Sequence, residues 1–146
     1  MGRHVHLRGQ FVTAQILSIV SDSWNGIHCR EQQVQYPSED DVLNAVRALD
    51  GLTRTLLAVN AADGSSITIG GGPGHYVAYV STNDEMCFNL LVDQEHSSGT
   101  VSLVAGGQEG DFPAEQVVKL DQVLRAVKFF YQAAGMDTDQ RWRSQW

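Results

Sequence analysis

The middle of the chain constrains the fold most, because five short runs rich in β-branched and aromatic residues lie there, separated by tight turns. The runs span 54–61, 65–71, 75–81, 86–92 and 100–107. In the second run Ile67 and Ile69 alternate with polar neighbours, which is the period of a half-buried strand. Asp63 and Gly64 form a strong hairpin turn, since both residue types tolerate positive φ. The runs therefore predict an antiparallel meander.

A helical pattern flanks the meander on each side. Ser38, with acids at 39–41, predicts a capped helix start, and Gly51 predicts its end. The second helix is indicated by an apolar stripe that Gly135 ends, made of Leu120, Val123, Leu124, Val127, Phe130, Tyr131 and Ala134. We predict an α+β fold: an antiparallel β-meander of about five strands with two main helices packed on one face.

The length of 146 residues suits one domain. Residues 1–35 show no clear period, so we assign the domain to 36–146 and treat 1–35 as an N-terminal segment or extension. Cys29 and Cys87 form no disulfide framework, which favours a reducing cytoplasm. No stretch approaches the roughly 20 apolar residues that a membrane span needs. We therefore expect a cytoplasmic protein.

The glycine cluster at 70–74 raises the question of a phosphate site. A phosphate-binding loop leads into a helix, whose N-terminus faces the anion. Here the next residues are "HYVAYV", which are typical of a strand, and no Lys-Ser or Lys-Thr pair follows. We therefore predict a hairpin turn, in which Pro73 limits the backbone.

The sequence carries no motif for catalysis or for metal binding. It lacks CxxC and HExxH spacings, a GxSxG elbow and the zinc-deaminase signature. Its paired carboxylates lie in predicted turns, where acids are normally solvated. We expect no catalytic residues, no metal and no cofactor.

The charge of the chain is uneven. The net charge is -7, and no Lys or Arg occurs between Arg54 and Lys119, an interval that holds eight carboxylates. Phosphate contacts need cations, so direct nucleic-acid binding is disfavoured and a basic partner is favoured. A solvated acidic surface that aids solubility accounts for the same pattern.

Two further features have both a structural and a binding interpretation. The stretch "VAGGQEGDFP" at 104–113 predicts a bend between sheet and helix. Trp142 covers the edge of the core or anchors an interface, since tryptophan is enriched in binding hot spots.

The order of these segments resembles a known family. It runs through "YPSEDDVLNAVRALDG", "TLLAVNAADGSSITIGGGPGHYVAYVS", "MCFNLLV", "VSLVAGGQEGDFPAEQVV", "VKFFYQAAGM" and "RW". It resembles the immunity proteins of bacterial polymorphic toxin systems, in the family that accompanies nucleic-acid deaminase toxins. The matching positions are Gly70 to Gly72, Gly106 and Gly107, Phe129 and Phe130, Gly135 and Trp142, and the resemblance covers about residues 36–146.

The resemblance implies a non-enzymatic inhibitor that binds the producing cell's own toxin domain and blocks its active site. The acidic interval suits this role, because an acidic protein can occupy a basic nucleic-acid groove. We expect a monomer or weak dimer that binds neither nucleic acid nor membrane. The expected toxin-binding residues are Asp84, Glu85, Asp93, Glu95, Glu109, Asp111 and Trp142.

Three alternatives remain open at this point. The first is an immunity protein against a nuclease toxin, whose groove is basic as well. The second is an enzymatic or small-molecule-binding α+β domain with a pocket between sheet and helices. The third is an adaptor that uses an exposed strand at the edge of the meander.

Overall fold

The structure, a computed structural model, describes residues 15–82, 88–93 and 98–145. Its elements are β1 (Ile16–Asn25), β2 (His28–Gln35), α1 (Glu39–Arg47), β3 (Leu56–Ala61), β4 (Ser66–Gly71), β5 (Tyr76–Ser81), β6 (Phe88–Val92), β7 (Thr100–Ala105), β8 (Gln108–Pro113), α2 (Leu120–Ala133) and β9 (Arg141–Gln145). Seven strands form one sheet in the order β2-β1-β3-β4-β5-β6-β9, with every neighbouring pair antiparallel. The strands β7 and β8 form a separate two-stranded ribbon.

The α+β class and the two helices are confirmed, whereas the count of about five strands is too low. All five predicted runs contain strands, β3 to β7, but only the first four lie in the main sheet. β7 pairs instead with β8, so the predicted bend at 104–113 is wrong. Gly106 and Gly107 have φ of 63° and 79°, the two positive values that a tight hairpin turn needs.

Three strands of the main sheet lie outside the five predicted runs. β1 pairs with both β2 and β3, so residues 16–35 belong to the same sheet as the meander. All of β2 is exposed, and therefore it has no alternation of apolar and polar residues for a sequence pattern to reveal. β9 pairs with β6 and forms the opposite edge of the sheet.

Helix α1 begins as predicted but ends earlier. The Ser38 hydroxyl accepts from the Asp41 N–H, and the Asp41 carboxylate accepts from the Ser38 N–H, both at 3.0 Å. The helix ends at Arg47, before Gly51. Helix α2 ends with Ala134 in the left-handed region at φ 53°, so the predicted stop at Gly135 is one residue late.

The main core lies between the sheet and the two helices. Val42 and Val46 of α1 and Val127 and Phe130 of α2 are fully buried there. Side chains of a strand alternate between faces, so Val77 points to the face opposite Ala78. Val77 packs there with Leu103 of the ribbon in a second, smaller cluster. The molecule therefore has three layers: helices, sheet and ribbon.

The glycine cluster forms a hairpin, as predicted. β4 ends at Gly71 and β5 begins at Tyr76, and the two strands pair antiparallel. A Cβ on Gly71 would lie 2.6 Å from the His75 carbonyl oxygen, and one on Gly72 would overlap the Leu49 carbonyl. These glycines therefore allow close backbone packing in the turn.

Candidate functional site

The predicted acidic residues fall into two groups. Asp84, Glu85 and Glu95 lie outside the described residues. Asp93 follows β6 and is half-buried. Its N–H donates to the Glu115 carbonyl oxygen at 2.8 Å, which ties the end of β6 to the turn after the ribbon.

Glu109 and Asp111 lie together on the outer face of the ribbon. Phe112 and Leu103 turn toward the sheet, so the alternate residues of β8 turn outward. Both carboxylates are exposed. Ser102, directly opposite Asp111 in the register, donates its hydroxyl to Glu109 at 2.8 Å. The ribbon thus presents two adjacent carboxylates to solvent, on the sheet side away from the helices.

Trp142 lies on the other side of the sheet. It pairs with Leu91 in the register, is half-buried and packs against the main core beneath the helices. Its indole Nε1–H donates to the Asp137 carbonyl oxygen at 2.9 Å. The structure therefore does not bring Trp142 together with the ribbon acids.

A hydrogen-bonded latch holds the ribbon turn against the sheet. The Gly107 N–H donates to the Thr55 hydroxyl at 2.9 Å, and that hydroxyl donates to the Asp22 carboxylate. Asp22 also accepts from the N–H groups of Thr55 and Leu56, at 2.7 and 3.0 Å, and from the Trp24 indole at 2.8 Å. A Cβ on Gly107 would overlap the Trp24 ring, so only glycine allows this contact.

The latch needs the ionised form of Asp22. Partial burial raises the pKa of this carboxyl, but hydrogen bonds from the side chain and backbone of Thr55, from Trp24 and from Leu56 outweigh burial. The net effect holds the pKa below its usual value. Because Thr55 is almost fully buried, this donor set is fixed by the fold.

A second carboxylate shapes the loop beside the latch. Asp50 accepts from the N–H groups of Arg54, Leu52 and Thr53 and from the Thr53 hydroxyl, which together hold its pKa far below the usual range. The Thr53 carbonyl oxygen in turn accepts from the Trp24 N–H at 2.8 Å. The loop thus positions the backbone of Trp24.

Sequence reasoning missed this latch. Residues 21–26, "SDSWNG", have the composition of a turn, yet most of them extend β1. Asp22 and Thr55 are 33 positions apart, and only the pairing of β1 with β3 brings them together. The one available signal was the Gly106–Gly107 pair, which marks a turn with close packing.

The edge strand β2 lies next to the ribbon turn, on the side of the sheet away from the helices. Cys29 lies directly opposite Trp24 in the register, next to the ribbon turn. All eight residues of β2 are exposed, and Tyr36, just beyond the strand, is exposed as well. The open strand and the ribbon therefore form neighbouring surfaces.

Neither a metal-ligating cluster nor a membrane-spanning helix occurs in the part of the chain that the structure describes. No group of three or more His, Cys, Asp or Glu side chains in this part of the chain is arranged to hold a metal ion. Among these same residues, no helix has the length and apolar character to cross a membrane.

The chain matches the model of a known protein family. The family model described as immunity protein Imm1 matches residues 30–144, from β2 into β9. A search of curated proteins finds no match.

Proposed function

The chain belongs to the Imm1 family of immunity proteins, and from this premise we propose that it neutralises a nucleic-acid deaminase toxin by covering the basic groove of the toxin. Immunity proteins bind a cognate toxin protein. The match covers most of the sequence, including both helices and the ribbon. The protein acts in the cytoplasm as a non-enzymatic inhibitor.

The observation that carries the proposal is the exposed pair Glu109 and Asp111. The pair lies on a ribbon that the Asp22 latch ties to the sheet, so the two carboxylates are already held in position before binding. Preorganised charge costs less ordering entropy on association, and complementary charge speeds encounter. Asp93, at the end of β6, adds negative charge on the chain segment that leads toward the ribbon.

The other predicted contacts remain part of the proposal. Asp84, Glu85 and Glu95 lie in the same interval without Lys or Arg and extend its negative charge. Trp142 is half-buried, so part of its ring is available to a partner while the rest packs on the core.

Co-expression tests this function. The toxin domain encoded beside this gene is expressed with and without the protein, and survival and nucleic-acid deamination are scored in the same cells. We expect survival together with loss of deamination. A toxin that cuts nucleic acid instead, and is still neutralised, would identify the partner as a nuclease.

Charge reversal tests the surface. Glu109→Lys with Asp111→Lys should weaken toxin binding at least a hundredfold if both carboxylates meet cations in the interface, since a buried charge pair is worth about 2–5 kcal/mol. Asp121→Lys is the control, because it reverses an exposed acid on α2, on the helical side of the sheet. An effect of Asp121→Lys equal to that of Glu109→Lys alone, which changes the net charge by the same amount, would show that only total charge matters.

A further inference from the structure

Strand β2 has one neighbour, and no described residue pairs with its other side. The Trp24 N–H bonds to Thr53, away from β2, so Trp24 and Cys29 form the non-hydrogen-bonded type of antiparallel pair. The register continues unbroken from there to Gln35. Hydrogen-bonded and non-hydrogen-bonded pairs alternate along an antiparallel ladder. Every second residue of β2 from Cys29 onward therefore points its backbone N–H and C=O groups away from β1. These residues are Cys29, Glu31, Gln33 and Gln35.

This edge lacks several of the usual protections against pairing, although it carries Arg30 and Glu31. It contains no proline and no bulge, and all of its residues are exposed. Apolar side chains stand at or beside it, since Val34 is 44% exposed, Tyr36 66% and Ile27 88%. Natural proteins normally block a long open edge, because it is a template for another strand. An open edge is therefore a binding feature by its geometry.

Tyr36 adds a side-chain contact at one end of the edge. Its φ of 50° is uncommon for a bulky residue, and its N–H is held by the Leu17 carbonyl oxygen at 2.8 Å. The conformation leaves the ring largely in solvent although the backbone is fixed. Strained, exposed residues of this kind are concentrated at functional sites, and tyrosine is frequent in binding hot spots.

The charge beside the edge indicates the chemistry of its partner. Residues 28–41 contain one arginine, Arg30, and four carboxylates, which gives a net charge of -3. Three of those carboxylates, Glu39, Asp40 and Asp41, lie in the first turn of α1, which begins just after the capping Ser38. A strand that reaches this end of β2 therefore meets negative charge.

We infer that β2 binds an extended segment of the toxin, which adds an eighth strand to the sheet and carries a basic side chain toward the first turn of α1. This inference rests on the proposed function. The four outward-facing residues supply backbone hydrogen bonds, and Val34 and Tyr36 contact apolar side chains of the segment. Because Cys29 lies opposite Trp24, the added strand borders the ribbon surface.

A second copy of this chain is the less favourable occupant. β2 itself carries one arginine and one glutamate and is neutral, but antiparallel pairing of β2 with a second copy joins two molecules of net charge -7, each with an acidic helix turn after the strand. Like charges at this distance repel, whereas a cationic strand is attracted.

Amide hydrogen exchange by NMR tests the inference without any mutation. The probe is the catalytically inactive toxin domain encoded beside this gene. We expect the amides of Glu31, Gln33 and Gln35 to exchange rapidly in the free protein and at least tenfold more slowly in the complex. The amides of Gln32 and Val34, which face β1, serve as the internal control and are protected in both states.

The outcomes separate the two proposals. A complex that forms without slowing the outward amides overturns strand addition and leaves the proposed function intact. The absence of any complex overturns both. Outward amides that are already protected in the free protein, together with a dimeric mass by light scattering, assign the edge to a second copy and overturn the inference.

Two substitutions at the same position measure how much the outward N–H contributes to toxin binding. Gln33→Pro removes the central outward N–H, which an edge strand tolerates, and should weaken toxin binding about tenfold or more. Gln33→Thr keeps the N–H and should bind within about twofold of the original. Equal binding by both variants contradicts the inference, provided that both unfold at the same temperature as the original protein.

Two matched charge-reversal variants complete the test. Asp40→Lys and Asp121→Lys each reverse an exposed acid in the first turn of a helix, so both carry the same cost from the helix dipole. We expect Asp40→Lys to weaken binding about tenfold and Asp121→Lys to have little effect. The reverse order would place the partner on the helical side instead.

Discussion

The two edges of the seven-stranded sheet are built in opposite ways. β9 is five residues long, and its surroundings tie it down: Trp142 packs on the core, and Arg143 pairs with Glu115. β2 is eight residues long, and among its described side chains only Gln32 bonds to another element, through the Arg54 guanidinium at 2.6 Å. Each edge strand has one strand neighbour among the described residues, but side chains anchor β9 to the fold, whereas those of β2 are exposed.

The two edges also differ in charge, because β9 is basic and β2 ends beside acidic residues. β9 carries Arg141 and Arg143, and cationic side chains discourage pairing at an edge. β2 ends beside the acidic first turn of α1. A basic protein is therefore repelled by one edge and attracted by the other. The comparison is the basis of the proposal that β2 binds the toxin, whereas the side chains of β9 anchor that edge to the fold.

The largest expected effect is on the anchored edge. Trp142→Ala removes core packing and the hydrogen bond to Asp137, so we expect a loss of about 3 kcal/mol in the free energy of unfolding, measured by urea denaturation. Tyr36→Ala, the matched change beside the open edge, should cost no more than about 0.5 kcal/mol. Similar losses at both positions would contradict the division between the edges.

The next effect concerns the latch between the ribbon and β1. Asp22→Asn keeps the shape but replaces an acceptor oxygen by a donor, so we expect a loss of about 2 kcal/mol at pH 7. Thermal or urea unfolding measures this loss. An unchanged stability would show that the carboxylate charge is not needed at this position.

The same variant has a distinct pH signature. The pKa of Asp22 is lower in the folded chain than in the unfolded one, so its contribution is fully present above the unfolded value of about 3.9 and is lost as the pH falls through the folded value. The original protein should therefore lose more stability between pH 5 and pH 3 than Asp22→Asn. Asp50 also has a lowered pKa, but it contributes equally to both proteins.

A third change separates stability from binding at the open edge. Tyr36→Gly removes an exposed ring and relieves a positive φ, so the free energy of unfolding should stay constant or rise by up to about 1 kcal/mol. Toxin binding, measured by titration calorimetry, should weaken about tenfold. A variant that binds as tightly as the original would remove Tyr36 from the interface.

The smallest expected change in stability is at the end of α2, in the segment that leads to β9. Ala134 closes α2 with φ 53° and is the counterpart of Tyr36 as a non-glycine residue in the left-handed region. Ala134→Gly should raise the free energy of unfolding by about 1 kcal/mol and leave toxin binding unchanged. A loss of stability would show that the Ala134 methyl group packs more strongly than its conformation costs.

The sequence predicted those parts of the fold that have a local cause. Ser38 and Asp41 correctly predicted the start of α1, and the alternation around Ile67 and Ile69 correctly predicted a strand. The start of β5 after the glycine cluster followed from "HYVAYV". Each of these signals lies within a few residues of the feature that it specifies.

The features that could not be predicted from the sequence depend on residues far away in the chain, or belong to a strand with no buried face. β2 has no buried residue, so it has no period to detect. β8 pairs with β7 although its Gly110 and Asp111 are typical of a turn. Asp22 acquires its donors only when β1 lies beside β3. Such contacts follow from topology, which a local pattern does not encode.

The most direct test of the central claim is an inhibition titration. The purified cognate toxin domain is assayed for nucleic-acid deamination while the protein is added in increasing amounts. We predict that deamination falls to zero at one protein per toxin and that Asp121→Lys inhibits equally well. Undiminished deamination at a large molar excess of the protein would contradict the account.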